Sequence, residues 1–411
     1  MKKTLFTATL LAASLMAAST VQAAPQEVTM WHYFDQKPEQ EMLADMVEEY
    51  NSLQDDIHIN ATFVSRTELM NQYTVGALSG ELPDIGQVDS PDMESYISLG
   101  VFEDITDELE SWGELDQFYD GPLSSCKDPD GKVYGLPQNS NCLALACNMD
   151  LLKAAGYDHM PQSLDEFKEM VAATTDASND VYGFAMCAVS TEEGTFQILP
   201  WLRSVQNGTG VNVDNITADS AVNGLQTLGD FVANGYMSKE CVNWTQSDVN
   251  NNFMAGNLAM QQNGPWQIPG IEANAPDLNY GVTVLPKKDA DSEQATSILG
   301  GENMGDVNKD DTSGAEAFLK YYDQTDVMVD AMKQYGSYPP KTEAAKDSYW
   351  TDDPIQKAFL TQIDTSIPRG PSAAWPSYSS ATQTGFQEVM TSAKTPEQAA
   401  KDTQAAVDAV K

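Results

Sequence analysis

The residues able to do chemistry are few in kind and poorly spaced for catalysis. There are three histidines, His32, His58 and His159, far apart in the chain, so no pair sits at the one-turn spacing of a helical zinc site. No Gly-x-Ser-x-Gly elbow, Walker loop, Gly-x-Gly-x-x-Gly turn or His-Glu-x-x-His motif occurs. The 61 Asp and Glu residues make neighbouring carboxylates inevitable, so a glycosidase-like pair of acids carries little information. The tryptophans are more telling. Trp266 lies between Gly264-Pro265 and Pro269-Gly270, Trp375 lies in Pro371-Ser372-Ala373-Ala374-Trp375-Pro376, Trp201 follows Pro200, and Trp31 and Tyr33 stand at the exit of a first strand. An indole held by Pro and Gly is not part of a helical stripe, so core filling is a less automatic explanation for it. The apolar C–H face of a sugar ring stacks on such a surface, while its hydroxyls need Asp, Glu, Asn or Arg partners in a cleft. Packing between domains is the competing explanation, weaker for Trp266 and Trp375 than for Trp31 and Trp201.

The elements that must position these residues alternate between strand and helix, the pattern of an α/β fold. Val28–Trp31 and Ile57–Val64 read as strands, and Pro83–Ile85 starts another. Met42, Leu43, Met46, Val47 and Tyr50 stripe one helix, and Leu69–Leu78 forms the next. A second block begins with strands at Lys132–Pro137 and Leu143–Cys147. A helix follows, capped by Ser163 with Glu166. Helices striped by Val222 to Val232 and by Val249 to Met254 precede a strand at Tyr280–Pro286. Further helices are expected around 315–322, 327–335, 354–363 and 382–393, with a last one capped by Thr395-Pro396. This late return to strand and helix points to domains that are discontinuous in sequence.

Composition limits the partners. Against 61 acidic residues stand 22 Lys and Arg, a formal charge of −39. Such a surface repels nucleic acid and anionic lipid and disfavours phosphate or carboxylate ligands. Lys2 and Lys3, an apolar run from Leu5 to Ala18 and the small residues of Val21-Gln22-Ala23 read as a signal peptide over residues 1–23, placing the product in the periplasm. Export permits disulfides among Cys126, Cys142, Cys147, Cys187 and Cys241. Cys126 with Cys142 and Cys147 with Cys187 are possible pairs, and buried free thiols are the alternative.

Four segments carry a family resemblance. They are Gly131-Lys132-Val133-Tyr134-Gly135-Leu136-Pro137 with Asn148 to Gly156; Phe253 to Met260 running into Asn263-Gly264-Pro265-Trp266; the strand Tyr280 to Pro286; and Gly300-Gly301-Glu302-Asn303 ahead of Ala315 to Tyr321. Together they resemble the extracellular solute-binding proteins of ABC importers, in the maltose-binding-like, oligosaccharide branch. The resemblance implies the class II periplasmic-binding-protein fold, with two α/β lobes and hinge segments near residues 138–142, 299–303 and 336–342. The lobes would comprise residues 24–139 plus 302–336 and residues 140–301 plus 337–411. It also implies a sugar held between the lobes, delivery to permease subunits in the inner membrane, a monomer, and no catalysis, cofactor or metal.

Carried over position by position, the ligand site comprises Tyr33, Asp35, Asp89, Asn141, Phe196, Trp266, Gly301, Glu302 and Trp375. Arg369 is added as a bidentate partner for hydroxyls. Val88 replaces an aromatic platform of the maltose type, Asn141 an acidic contact and Gln36 a basic one, which weakens the case for maltodextrin but not for sugar. A polyamine receptor of the same fold is the alternative, since the acidity would suit a cation, and a secreted glycosidase is a further one. Ferric-ion capture would want adjacent tyrosines in the cleft, and Tyr321-Tyr322 falls on an expected helix instead.

Overall fold

The computed structural model describes residues 24–203, 215–287, 297–307, 311–370 and 372–410. The expected signal peptide lies outside the described residues. The first strand, Gln26–His32 (β1), runs parallel to Ile57–Phe63 (β2) and to Ile85–Asp89 (β3). Gly135–Pro137 (β4) completes the first pass through this sheet. The chain then builds a second sheet from Ala144–Asn148 (β5), Met260–Asn263 (β6) and Tyr280–Thr283 (β7), with β5 in the middle and both neighbours antiparallel to it. After the short strand Ile298–Leu299 (β8), Glu302–Asp306 (β9) returns to the first sheet and enters antiparallel between β3 and β4. Ile367–Pro368 (β10) pairs with β8. The order β2-β1-β3-β9-β4 makes the first sheet discontinuous in sequence, whereas the second, β6-β5-β7, is built from consecutive strands.

Helices cover both faces of the first sheet. On one face Val28 and Met30 pack with Met42, Leu43 and Met46 of the helix Lys37–Leu53 and with Phe318 of the helix Ser313–Tyr322. On the other, Val88 meets Leu69 and Tyr73 of the helix Arg66–Ser79, together with Phe102. The helix Lys37–Leu53 starts at a capping box, in which the Gln36 N–H donates to Glu39 Oε2 at 3.2 Å, and Pro38 in the first turn lacks the N–H that would otherwise need a partner. The second lobe packs Phe167, Phe184 and Phe231 edge to face behind its sheet, with Trp201 tilted against Phe167 and Phe184.

Three crossing segments lie side by side between the sheets. The N–H groups of Ser140 and Tyr338 each donate to the other residue's carbonyl, at 2.8 and 3.0 Å, and those of Asn141 and Gly300 do the same at 3.1 and 2.9 Å. Gly301 has φ 140°, and a Cβ there would stand 2.4 Å from the Asn139 carbonyl oxygen. This backbone conformation and this close approach both require glycine.

Several elements differ from the sequence expectation. The strand expected from Lys132 begins only at Gly135, because Val133 bridges Lys127 in a local turn. Glu192–Arg203 is a helix despite Pro200, which removes one backbone donor without ending it. Trp201 therefore lies on a helix in the core, its indole N–H donating to Gln262 Oε1 at 2.9 Å. The helix expected from residue 382 starts at Trp375, with Pro376 in its first turn. All five cysteines are buried and unpaired, so neither of the two considered disulfides forms.

Candidate functional site

The carboxyl ends of β1 and β3 face a cleft between the two sheets, the end at which open α/β sheets bind ligands. Because β9 runs antiparallel to β3, Glu302 at its start lies opposite Asp89 at the end of β3. The loop after β1 adds Tyr33, Phe34, Asp35 and Gln36, and the helix starts add Glu39 and Arg66. The opposing wall carries Glu192, Glu193 and Phe196 from one helix, Gln246 from the start of another, Trp266 and Arg369. Asn141 and Gly301 of the crossing segments form the floor, and Tyr335 closes one side. The empty space of the cleft, counted with the open solvent at its mouth, is about 710 Å³.

The structure thus brings together Tyr33, Asp35, Asp89, Asn141, Phe196, Trp266, Gly301, Glu302 and Arg369 on one cleft lining. Trp375 is placed differently. It is 1% exposed, begins a helix behind the wall, and donates its indole N–H to Glu192 Oε1 at 3.2 Å. It supports a cleft residue instead of facing the opening. Phe34, Glu39, Arg66, Glu192, Glu193, Gln246 and Tyr335 join the lining without having been singled out as site residues, and Gln36, named only as the replacement of a basic contact, lies there too. Rarity was a usable signal for one of them. Arg66, Arg203 and Arg369 are the only arginines in the chain, and two of the three meet here.

Trp266 and Phe196 lie with ring centroids 6.2 Å apart and planes tilted by 32°. The indole folds back over Gly264, where a Cβ would stand 1.8 Å from the ring. Glycine before Pro265 is therefore a steric requirement for this pose. Around the Glu302 carboxylate, Tyr33 Oη donates to Oε1 at 3.1 Å, while Asn139 Nδ2 and Tyr335 Oη donate to Oε2 at 2.5 and 3.2 Å. Burial, then Asp89 nearby, holds this carboxyl above its ordinary range in spite of those donors. Burial likewise raises Glu39, with Glu302 and Asp35 adding to it, and raises Asp35 itself.

Asp89 behaves oppositely. Burial alone would raise it, but the guanidiniums of Arg369 and Arg66 outweigh burial and hold it low. Arg369 grips it with both terminal nitrogens, Nη1 to Oδ2 at 2.9 Å and Nη2 to Oδ1 at 2.5 Å, and Arg66 hydrogen-bonds Oδ2 from the other side. Next to them Asp92 is pushed up to about 8, by burial first and then by Glu192 and Asp89. The site thus offers aromatic faces, carboxylate and amide acceptors and two engaged arginines. Among the described residues no group of three or more His, Cys, Asp or Glu is placed to hold a metal ion. No helix among them is long and apolar enough to cross a membrane.

Residues 45–358 match the family model described as bacterial extracellular solute-binding protein, and the chain belongs to that family. Its members are binding proteins. A maltotriose-binding protein of Pyrococcus abyssi is 23% identical over 367 residues, covering 85% of this chain and 75% of that one. Two solved structures share the two-lobed fold. The maltose-bound MalE3 of T. maritima gives a TM-score of 0.82 at 22% identity, over 94% of this chain and 100% of the other. The GacH receptor of Streptomyces glaucescens, solved unliganded and with acarbose, gives 0.81 at 21% identity, over 94% and 98%.

Proposed function

We propose that this chain is the sugar-capturing receptor of an ABC importer, exported to the periplasm, acting as a monomer and carrying an oligosaccharide to the permease subunits in the inner membrane. The observation that carries this reading is the cleft wall. Trp266 and Phe196 offer faces for the apolar side of a pyranose ring, while Asp35, Glu302 and Asn141 border the same space with hydroxyl acceptors. The sugars named for its relatives, maltotriose, maltose and acarbose, support the class. The reading assigns no catalytic step to the cleft carboxylates.

The test is a thermal-shift screen of purified protein against mono-, di- and oligosaccharides, with putrescine and spermidine alongside. A ligand at 100 times its dissociation constant adds about 2.7 kcal/mol of stability. Stabilisation by a sugar supports the reading. Stabilisation by polyamines alone would replace the sugar with a cation, and release of a shortened sugar would replace the receptor with an enzyme.

A further inference from the structure

We propose that Arg369 is a positioning residue, one that fastens the two walls of the cleft together and so sets how slowly a bound ligand leaves. The proposal takes from the sugar-receptor reading only that the ligand lies in this cleft.

A guanidinium has five N–H donors in a planar fork. In Arg369 the fork is already engaged by the protein. Nη1 and Nη2 take both oxygens of Asp89, and Nη1 also reaches Glu192 Oε1 at 2.6 Å. These bonds use three of the five N–H groups, and among the described residues Nε has no partner. The face of the guanidinium covers the Phe196 ring at 4.6 Å, and the side chain is 3% exposed. A hydroxyl competing for the fork would have to displace charge-assisted hydrogen bonds, which are stronger than neutral ones.

The partners of this arginine belong to opposite walls. Asp89 ends a strand of the first sheet and is braced by Arg66 of the same lobe. Glu192 starts the helix that carries Phe196 and is held by Ser379 Oγ and the Trp375 indole. Arg369 follows β10, which pairs with β8, and just before β8 the Ser297 hydroxyl donates to the carbonyl of Leu143, the residue ahead of β5, at 2.7 Å. Closing the cleft therefore assembles Asp89, Arg369 and Glu192, and opening it must part Asp89 from Arg369. Removing the arginine leaves Asp89 and Glu192 facing each other across the cleft with one cation fewer, and this part of the cost is borne by the closed form.

The experiment is stopped-flow binding with maltotriose as the probe, on Arg369→Gln, Asp89→Asn, the double variant and Arg369→Lys, each checked for folding by circular dichroism. Losing one member of a buried, hydrogen-bonded charge pair acts on dissociation, so Arg369→Gln should release maltotriose on the order of 30-fold faster, with association changed far less. Asp89→Asn should do the same from the opposite wall, and it carries the test alone should Arg369→Gln not fold. The double variant should be no worse than either single one, since both remove the same link. Arg369→Lys keeps the charge without the planar fork and should recover only part of the loss. Additive losses in the double variant, or slowed association with unchanged dissociation, would overturn the proposal in favour of separate ligand contacts. If maltotriose does not bind, the sugar reading loses that probe, and small-angle scattering decides the fastening. Arg369→Gln must then show a larger radius of gyration than the unsubstituted protein, and equal radii overturn the proposal.

Discussion

Asp306 should make this protein lose stability as the pH rises through neutrality, and replacing it with Asn should abolish that part of the loss. The residue lies in β9, four positions after Glu302, with 0% exposure and, among the described residues, no hydrogen-bond partner for either carboxylate oxygen. Burial, then Glu316 nearby, pushes its carboxyl up to about 8, against a smaller opposing pull from Lys320. An unfolded aspartate ionises near ~4. Between about pH 5 and 8 the folded state therefore keeps a proton that the unfolded state has released, and stability must fall as pH rises. Each pH unit corresponds to ~1.4 kcal/mol, so the window accounts for roughly 4 kcal/mol as an upper limit. Below the unfolded value both states are protonated and the penalty vanishes. Asn has the same shape and never ionises. Urea unfolding at pH 5 and pH 8 should show the unsubstituted protein losing more stability than Asp306→Asn across that interval, by up to ~4 kcal/mol. The other raised carboxyls, Asp92 among them, are common to both proteins and cancel in the difference. Parallel falls in the two proteins would refute the assignment of a buried, protonated Asp306.

Two further outcomes follow from the same coordinates. Trp266→Ala should weaken binding of whichever sugar the screen identifies by about 1–3 kcal/mol, the scale for truncating a buried aromatic contact, and unchanged affinity in titration calorimetry would remove Trp266 from the site. Because all five cysteines are buried and unpaired, with burial raising the Cys241 thiol to about 12, the folded protein should resist thiol reagents. Unfolded in urea without reductant, it should show five reactive thiols, and a lower count would mean that a disulfide has formed.

What could be read from the sequence divides along a physical line. Helices with a clear apolar stripe were legible: Met42, Leu43, Met46 and Tyr50 do form a buried face, and Thr395 does cap the last helix through the Gln398 N–H. Local chemistry decides such elements, so a single sequence suffices. The helix Glu192–Arg203 was not legible, because Gly194 and Pro200 argue against a helix locally and its packing against the helices Asp219–Ala233 and Trp375–Met390 outweighs them. Trp375 was misplaced for a related reason. Pro376 looks like a loop residue in sequence, yet proline is well suited to the first turn of a helix.

The same line runs through the cleft. Residues that announce themselves by type, such as Trp266 after Gly-Pro or Glu302 after Gly-Gly, could be proposed from sequence and stand on the lining. The partners of Arg369 could not. Its hydrogen bonds to Asp89 and Glu192 span 280 and 177 positions, and nothing local in any of the three segments encodes the pairing. An arginine beside an aromatic-rich loop looks like a hydroxyl donor until the carboxylates across the cleft are in place. A buried guanidinium then satisfies the nearest charges first, because leaving two carboxylates uncompensated in that setting would cost more than any neutral hydroxyl returns. The tertiary fold therefore decides whether such an arginine contacts the ligand or orders the walls around it, and here it has taken both ends of the fork.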